Sequence, residues 1–181
     1  AQTLLYYLAM MFRNRFVPSF PIFLDSPMAI EASQIYQKHP ELFDEDLVAA
    51  SRDHPLIEDL RSLHTTPTPD ESKALNTMHG PMMIMAGAGM CNAGRILHHL
   101  RWNLPFKETW VVIVGFQGQG TLGRQLVDGA KSVKIFGETI AVNAQVRTLG
   151  GFSAHAGQTQ LLEWFAPLAH SNPKVFLIHG E

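Results

Sequence analysis

MMIMAGAGMCNAGRILHHL, residues 82–100, is the stretch that decides the fold. A short apolar run is followed by a glycine-rich turn and then by a segment with helical spacing. The same order returns in residues 110–128, WVVIVGFQGQGTLGRQLVD. An apolar run that leads through glycine into a helix is typical of a buried parallel strand, because parallel strands need a crossover connection. The two units therefore predict an α/β fold whose mainly parallel sheet carries helices on both faces.

The flanking segments extend this pattern. Towards the N-terminus we expect a helix at 4–12, a buried strand at 21–24, a helix from Ser26 and Pro27 to about 39, two short helices within 40–70, and a helix at 70–78. Towards the C-terminus we expect a hairpin at 133–136 and 140–142, a strand at 146–148, a helix at 158–166, and a last strand ending at His179. The pattern of predicted strands and helices changes near Leu149. We therefore divide the chain into domains 1–149 and 150–181.

The composition of the chain limits the classes of protein to which it can belong. With 46% hydrophobic and 17% charged residues the chain is globular rather than disordered. A net charge of −2 supplies no broad basic face, so contacts with nucleic acid must be local. The single cysteine, Cys91, excludes an internal disulfide and favours the cytoplasm. No apolar run reaches the roughly 18–20 residues of a membrane span. Both ends are abrupt, and we expect the chain to be a piece of a longer protein.

Two glycine-rich turns are candidate phosphate sites. In Gly87 to Arg95, a glycine turn opens a helix and presents backbone amides to an anion, with Arg95 as a charged contact. Gly115 to Gly123 repeats the arrangement, with Gln117 as a hydrogen-bonding group. Either turn can instead be purely structural. The first turn lacks the third glycine of a dinucleotide site and the GK[ST] of a P-loop.

Two histidines stand out by their context. His155 lies in a loop of small residues between a strand and a helix, and His179 lies at the end of an apolar strand. Functional groups gather at strand ends in α/β folds, although each histidine can equally be a polar surface residue. The sequence has no HxHxDH, HExxH or CxxC motif. It therefore lacks the residues for a complete zinc site.

Taken together, the motifs resemble those of bacterial and archaeal β-CASP ribonucleases, relatives of the endonuclease subunit that cleaves pre-mRNA 3′ ends. They occur in the family's order: DSPMA at 25–29, ESKALN at 71–76, GAGM at 87–90, GRILHHL at 94–100, GTLG at 120–123, GFSAHAGQ at 151–158 and LIHGE at 177–181. The resemblance runs from residue 1 to 181. The members of this family are hydrolases of the metallo-β-lactamase superfamily. In them the β-CASP cassette is inserted in a metallo-β-lactamase domain.

The resemblance implies a function for the longer protein. Single-stranded RNA lies between the two domains over two zinc ions, and most zinc ligands precede the cassette. His179 corresponds to a zinc ligand, and His155 corresponds to the catalytic imidazole beside the scissile phosphate. The RNA-facing or phosphate-binding candidates are Ser26, Gly87, Gly89, Arg95, Gln117 and Ser153. We therefore expect this chain alone to be inactive without its N-terminal metallo-β-lactamase domain.

Two positions depart from the family pattern. Many members have an acidic residue where Gly157 stands, and many have serine where Ala88 stands. The change at Ala88 removes a hydroxyl and leaves the backbone amides of the loop with Arg95.

Two other functions remain open. One is a non-catalytic β-CASP scaffold that assembles with an active homologue, and the other is an unrelated nucleotide-binding domain that uses Gly87 to Arg95. The segment after residue 149 also predicts exposed apolar surface that could drive homodimer formation, carried by Phe152, Leu161, Leu162, Trp164 and Phe165.

Overall fold

The computed structural model describes residues 1–52, 54–152 and 156–176. In chain order its elements are α1 (Gln2–Arg13), β1 (Ile22–Asp25), α2 (Pro27–Lys38), a 3-10 turn (Pro40–Leu42), α3 (Glu45–Ser51), α4 (Leu56–Asp59), β2 (Leu63–Thr65), α5 (Pro69–Leu75), β3 (Met83–Ala86), α6 (Arg95–Asn103), β4 (Trp110–Ile113), α7 (Leu122–Val127), β5 (Ser132–Ile135), β6 (Glu138–Ala141), β7 (Gln145–Thr148) and α8 (Gln158–Ala169). None of the described helices is long and apolar enough to span a membrane.

The strands form one three-stranded and two two-stranded sheets. In the first, β1 lies between β2 and β3 and is parallel to both, with Ile22 opposite Leu63 and Met83. β4 pairs with β7 in parallel, and β5 pairs with β6 as the predicted hairpin. The predicted α/β fold with mainly parallel strands is confirmed. Because β1, β2 and β3 are parallel, their carboxyl ends meet at one edge, and the chain leaves that edge at Ser26, Thr66 and Gly87.

Local sequence signals explain where two of the helices begin. Ser26 caps α2 by accepting a hydrogen bond from the amide of Ala29, and Pro27 occupies the first helical position. Thr68 and Glu71 form a reciprocal capping box at the start of α5. These caps fix the chain direction immediately after β1 and shortly after β2.

The buried apolar residues form two clusters. One joins α1, β1 and the residue after α4, and contains Leu5, Leu8, Ala9, Ile22 and Leu60. The other joins α6, β4, α7 and β5, and contains Cys91, Leu100, Leu104, Ile113, Leu122, Leu126, Val133, Ile135 and Ala144. The strands of the two strand–glycine–helix units thus contribute to different cores: β3 packs against the first cluster, whereas β4 lies in the second, together with α6 of the first unit.

Several predictions of detail were wrong. β2 was not predicted, because a three-residue strand of Leu, His and Thr gives no apolar run. The strand predicted at 110–114 as fully buried instead has one open face, with Trp110 56% and Val112 45% exposed beside buried Ile113. β3 is half-buried along its length.

The C-terminal part of the described chain is mostly exposed. Leu161, Leu162 and Trp164 on α8 are exposed as predicted, whereas Phe152 and Phe165 are half-buried. Phe152 packs edge-to-face on Tyr7 of α1, with ring centroids 5.9 Å apart. The predicted last strand ends at His179, which lies outside the described residues.

Candidate phosphate-binding loop

A buried carboxylate lies at the edge where the three parallel strands end. Asp25, the last residue of β1, is fully buried and accepts hydrogen bonds from four side chains. The donors are Thr66 Oγ1 at 2.6 Å, Ser72 Oγ at 2.7 Å, Arg95 Nη1 at 2.7 Å and His99 Nε2 at 2.6 Å. Both carboxylate oxygens are therefore bonded twice, and the Asp25 cluster ties β1 to the segment after β2, to α5 and to α6.

The hydrogen bonds decide the charge of this carboxylate. Burial acts to raise the pKa of Asp25, but the bonds from His99, Thr66, Ser72 and Arg95 outweigh burial and hold the pKa below its ordinary value. Asp25 is thus ionised at neutral pH. A buried charge of this kind is tolerated because the guanidinium of Arg95 compensates it and each lone pair has a donor.

Arg95 faces the protein interior rather than the loop surface. Its Nη1 donates to Asp25 and to the backbone carbonyl of Thr66, and its Nη2 donates to the carbonyl of Pro67 at 2.8 Å. The arginine predicted to contact phosphate therefore uses both terminal nitrogens in hydrogen bonds within the protein. Spacing alone could have suggested this geometry, since Arg95 and His99 are four residues apart on one face of α6.

His99 completes the cluster. It is buried, while its neighbour His98 is exposed, as expected of two adjacent histidines on a helix of which one faces the core. Its Nδ1 lies 2.9 Å from Asn76 Oδ1, just after α5. Asp25, Ser72, Asn76 and His99 were not predicted as a cluster, because their partners are distant along the chain.

The first glycine loop, residues 87–94, is flanked by this cluster: it begins after Ala86, the strand partner of Asp25, and ends at Gly94, directly before Arg95. Its base is closed by a hydrogen bond from the Ile96 amide to the Gly87 carbonyl at 3.3 Å. Gly94 has φ of +75°, and a side chain there would approach the Gly87 carbonyl oxygen to 3.2 Å, so glycine is needed. Within the described residues, the amides of Gly89, Met90 and Asn92 donate to no acceptor. The loop therefore presents open amides on an exposed turn.

The second glycine loop, residues 115–121, uses its neighbouring amides internally. The amide of Leu122 donates to Asn92 Oδ1 at 2.9 Å, and the amide of Gly123 donates to the Met90 carbonyl at 3.1 Å. Gly118 donates to Met90 Sδ at 3.3 Å. The first turn of α7 is thus satisfied by the first glycine loop and is not open to a ligand.

The structure brings together four of the predicted site residues. Ser26, Gly87, Gly89 and Gln117 meet at the carboxyl ends of β1 and β3: the Ser26 hydroxyl lies 3.5 Å from where a Cβ on Gly87 would stand, and Gln117 donates to Gly89. Gln117 is only 5% exposed and so contacts the loop from within. The predicted residues Ser153, His155 and His179 lie outside the described residues.

A cleft of about 640 Å³ opens beside the first glycine loop. Its walls are mainly apolar, and it runs from the loop to the carboxyl end of β4, with Phe116 and Phe152 among its lining residues. Gly89 and Met90, whose amides are open, are also lining residues of this cleft. The arrangement suits an elongated ligand with an anionic group and apolar parts.

The described residues offer no metal site. No group of three or more His, Cys, Asp or Glu side chains in 1–52, 54–152 and 156–176 is arranged to hold a metal ion. The Asp25 and His99 pair is saturated by its own hydrogen bonds. Metal chemistry therefore cannot be assigned to this cluster.

Comparison with known proteins gives two family matches. A Beta-Casp domain model matches residues 1–126, and a model described as "Zn-dependent metallo-hydrolase RNA specificity domain" matches residues 139–181. The boundary predicted near Leu149 falls inside the second match and remains a prediction.

Similar proteins include "Ribonuclease TTHA0252" of Thermus thermophilus, 41% identical over 165 residues, which cover 91% of this chain and 37% of the relative. "Transcription termination factor FttA" of Methanocaldococcus jannaschii is 29% identical over 93% of this chain and 27% of its own length. The same factor of Methanothermobacter thermautotrophicus is 28% identical over the whole chain and 29% of its own length. The chain thus spans 27% to 37% of the length of these relatives, and it belongs to the Beta-Casp domain family.

Proposed function

We propose that this chain is the RNA-clamping part of a zinc-dependent ribonuclease that hydrolyses phosphodiester bonds of single-stranded RNA. Family membership supports the proposal, as do the 41% identity to a protein named a ribonuclease and the match to an RNA specificity domain. The observation that carries it is the first glycine loop, whose exposed amides have no acceptor among the described residues.

The open amides fit the charge of the chain. With a net charge of −2, the protein has no excess of cations to attract RNA over a wide surface. Backbone amides of a glycine-rich turn bind a phosphate through directed hydrogen bonds, without a cationic face. In this proposal, Gly89, Met90 and Asn92 contact one RNA phosphate directly, while Arg95 and Asp25 support the loop from below.

The chemical step is assigned to residues outside the described ranges. We propose that His179 is a zinc ligand and that His155 is the catalytic imidazole, held beside the scissile phosphate by the longer protein. A bound zinc pair supplies an activated hydroxide and stabilises the phosphate charge in this type of reaction. An imidazole placed near the leaving oxygen can donate the proton that this oxygen needs. We accordingly propose that the 181-residue chain alone does not cleave RNA.

The test uses the longer protein that contains this chain, with a labelled single-stranded RNA. His179→Ala is expected to lower zinc content measured by elemental analysis, together with activity. His155→Ala is expected to keep zinc and lose rate by about 10²–10⁴-fold, the usual contribution of acid–base catalysis. The matched control is His170→Ala, a histidine just after α8 with no assigned role. Normal cleavage by both His179→Ala and His155→Ala would contradict the assignment of the two histidines.

The scaffold alternative gives a different result in the same experiment. A non-catalytic member would bind RNA or a homologous partner but show no zinc-dependent cleavage in any variant. EDTA-sensitive turnover by the wild-type longer protein excludes that alternative. Turnover by the 181-residue chain with added zinc would instead contradict the need for further residues.

A further inference from the structure

We propose that Gln117 is a positioning residue whose buried amide fixes the first glycine loop against α7, so that the open amide of Met90 is held in place for a phosphate. The proposal deepens the proposed function and rests on it in one respect, that the phosphate belongs to RNA. It also assigns a reason for the glycine at position 123.

The amide nitrogen of Gln117 lies among three backbone carbonyls. Nε2 donates to Gly89 O at 2.8 Å and lies 3.0 Å from Phe116 O and 3.3 Å from Gly115 O. This surrounding fixes the orientation of the amide, because a rotated amide would place its oxygen against three carbonyl oxygens. One side chain of the second glycine loop thus binds the backbone of the first.

The amide oxygen of Gln117 is buried without a hydrogen-bond partner among the described residues. Buried polar atoms without a partner are rare, because desolvation is not compensated. A methionine or leucine side chain would fill a similar space without this penalty. A glutamine at position 117 is therefore explained by its amide nitrogen, which donates a hydrogen bond to the Gly89 carbonyl.

Gly123 is fitted to the same side chain. A Cβ on Gly123 would overlap Gln117 Oε1, and it would lie 2.7 Å from Cδ and 3.2 Å from the Met90 carbonyl. Gly123 lies in the first turn of α7, and its amide donates to that same carbonyl. Gln117 and Gly123 therefore hold the backbone of Gly89 and Met90 from two sides.

The consequence concerns the loop amides. The Gly89 carbonyl shares its peptide plane with the open Met90 amide, so Gln117 holds that plane from behind. The Met90 carbonyl, held by Gly123, shares its plane with the Cys91 amide, which donates to Ala88. Loss of the Gln117 contact is expected to let the plane that carries the Met90 amide rotate. A rotated plane points its amide away from the phosphate, at little cost to the distant core.

Stability measurements test the fit between the two side chains. Gly123→Ala is expected to lower the melting temperature of the 181-residue chain by about 5 °C, the effect of overpacking a buried site. The matched control, Gly118→Ala, places its Cβ in ordinary contact with Thr121 and is expected to change little. In the Gln117→Ser background the overlap is gone, so Gly123→Ala should lower the melting temperature by less than half as much. Equal effects in both backgrounds would overturn the steric part.

Positioning is tested by two further measurements on Gln117→Ser, with exposed Gln119→Ser as control. Amide hydrogen exchange of the chain should quicken about tenfold at residues 88–93 and not in the α1 and β1 core. In the longer protein, KM for single-stranded RNA should rise about tenfold while kcat stays within about twofold, the pattern of lost binding that is uniform through the reaction. An unchanged KM, or a fall in kcat alone, would overturn the inference.

These outcomes are separable from a failure of the proposed function. If the wild-type longer protein cleaves no RNA, the function fails, but loop exchange and the stability comparison still test whether Gln117 fixes the loop. If the wild type cleaves RNA and Gln117→Ser behaves like Gln119→Ser in exchange and KM, the inference fails alone.

Discussion

The two strand–glycine–helix units of this chain are alike in sequence and differ in what their amides do. The first unit, residues 82–100, leaves the amides of Gly89, Met90 and Asn92 without acceptors in the described part of the chain. The second unit, residues 110–128, donates the amides of Leu122 and Gly123 to the first. We propose that the first glycine turn is a ligand site, whereas the second is a docking contact for the first.

The difference comes from the residues that each loop contacts. The first loop is flanked by the Asp25 cluster, which ties β1 to the segment after β2 and to α5 and α6. The second loop contacts the first from behind, through Gln117, Asn92 and Met90. We infer that the first loop is the ligand-binding surface and that the second loop supports it. Each prediction below tests one part of this arrangement.

The largest expected effect follows from removing the carboxylate of the Asp25 cluster. Asp25→Ala leaves Arg95 and His99 without their common partner, and loss of one member of a buried ion pair costs about 3–5 kcal/mol of the free energy of unfolding. Urea unfolding measures it. Asp70→Ala is the control, because its ion pair with Lys73 is exposed and should contribute less than about 1 kcal/mol. Comparable losses in both variants would mean that the cluster does not support the loop.

A smaller effect on the same cluster should appear on acidification. The folded pKa of Asp25 is below the ordinary value of about 3.9, so its ionisation stabilises the fold above that value. This stabilisation is lost as the pH falls through the depressed folded pKa. The loss is smaller than that of truncation, because a protonated carboxyl keeps some of its hydrogen bonds. Urea midpoints should therefore differ between wild type and Asp25→Asn at pH 6 and begin to converge only below the ordinary value of about 3.9, as Asp25 becomes protonated; a constant difference would contradict the assignment.

The closure of the first loop is tested at its glycines. Gly94→Ala forces a residue with a Cβ into a positive φ and towards the Gly87 carbonyl, at an expected cost of about 1–3 kcal/mol. Gly89→Ala meets no atom within 4 Å and its φ is outside the strained region, so unfolding should change by less than about 0.5 kcal/mol. Thermal unfolding of the pair measures the contrast. Equal stability would show that Gly94 does not close the loop.

The smallest effect sharpens the account of α7. Asn92→Ala removes the acceptor for the Leu122 amide and should cost about 1 kcal/mol, as loss of a helix cap does. Gln119→Ala, on the exposed part of the second loop, should be neutral within about 0.5 kcal/mol. Chemical denaturation of both variants measures this difference. A neutral Asn92→Ala would mean that the first turn of α7 does not depend on the first loop.

The sequence was sufficient wherever the determinant was local. Apolar runs, Ser26 with Pro27, and the glycine turns predicted β1, β3, β4, α2, α6 and α7 within a few residues, because capping and periodicity act over one or two turns. The Asp25 cluster could not be predicted in this way, since His99 is 74 positions from its carboxylate partner. The inward turn of Arg95 has the same cause: a strand that was not predicted, β2, places the carbonyls that follow it beside the guanidinium.

The most direct test is an NMR titration of the ¹⁵N-labelled 181-residue chain with a short single-stranded RNA, followed through the backbone amides. The account predicts shifts concentrated at residues 88–93, with Leu122 and Gly123 nearly unmoved because their amides are already bonded. Shifts of equal size in both loops, or shifts confined to residues 115–123, would contradict the claim that the first glycine loop receives the phosphate.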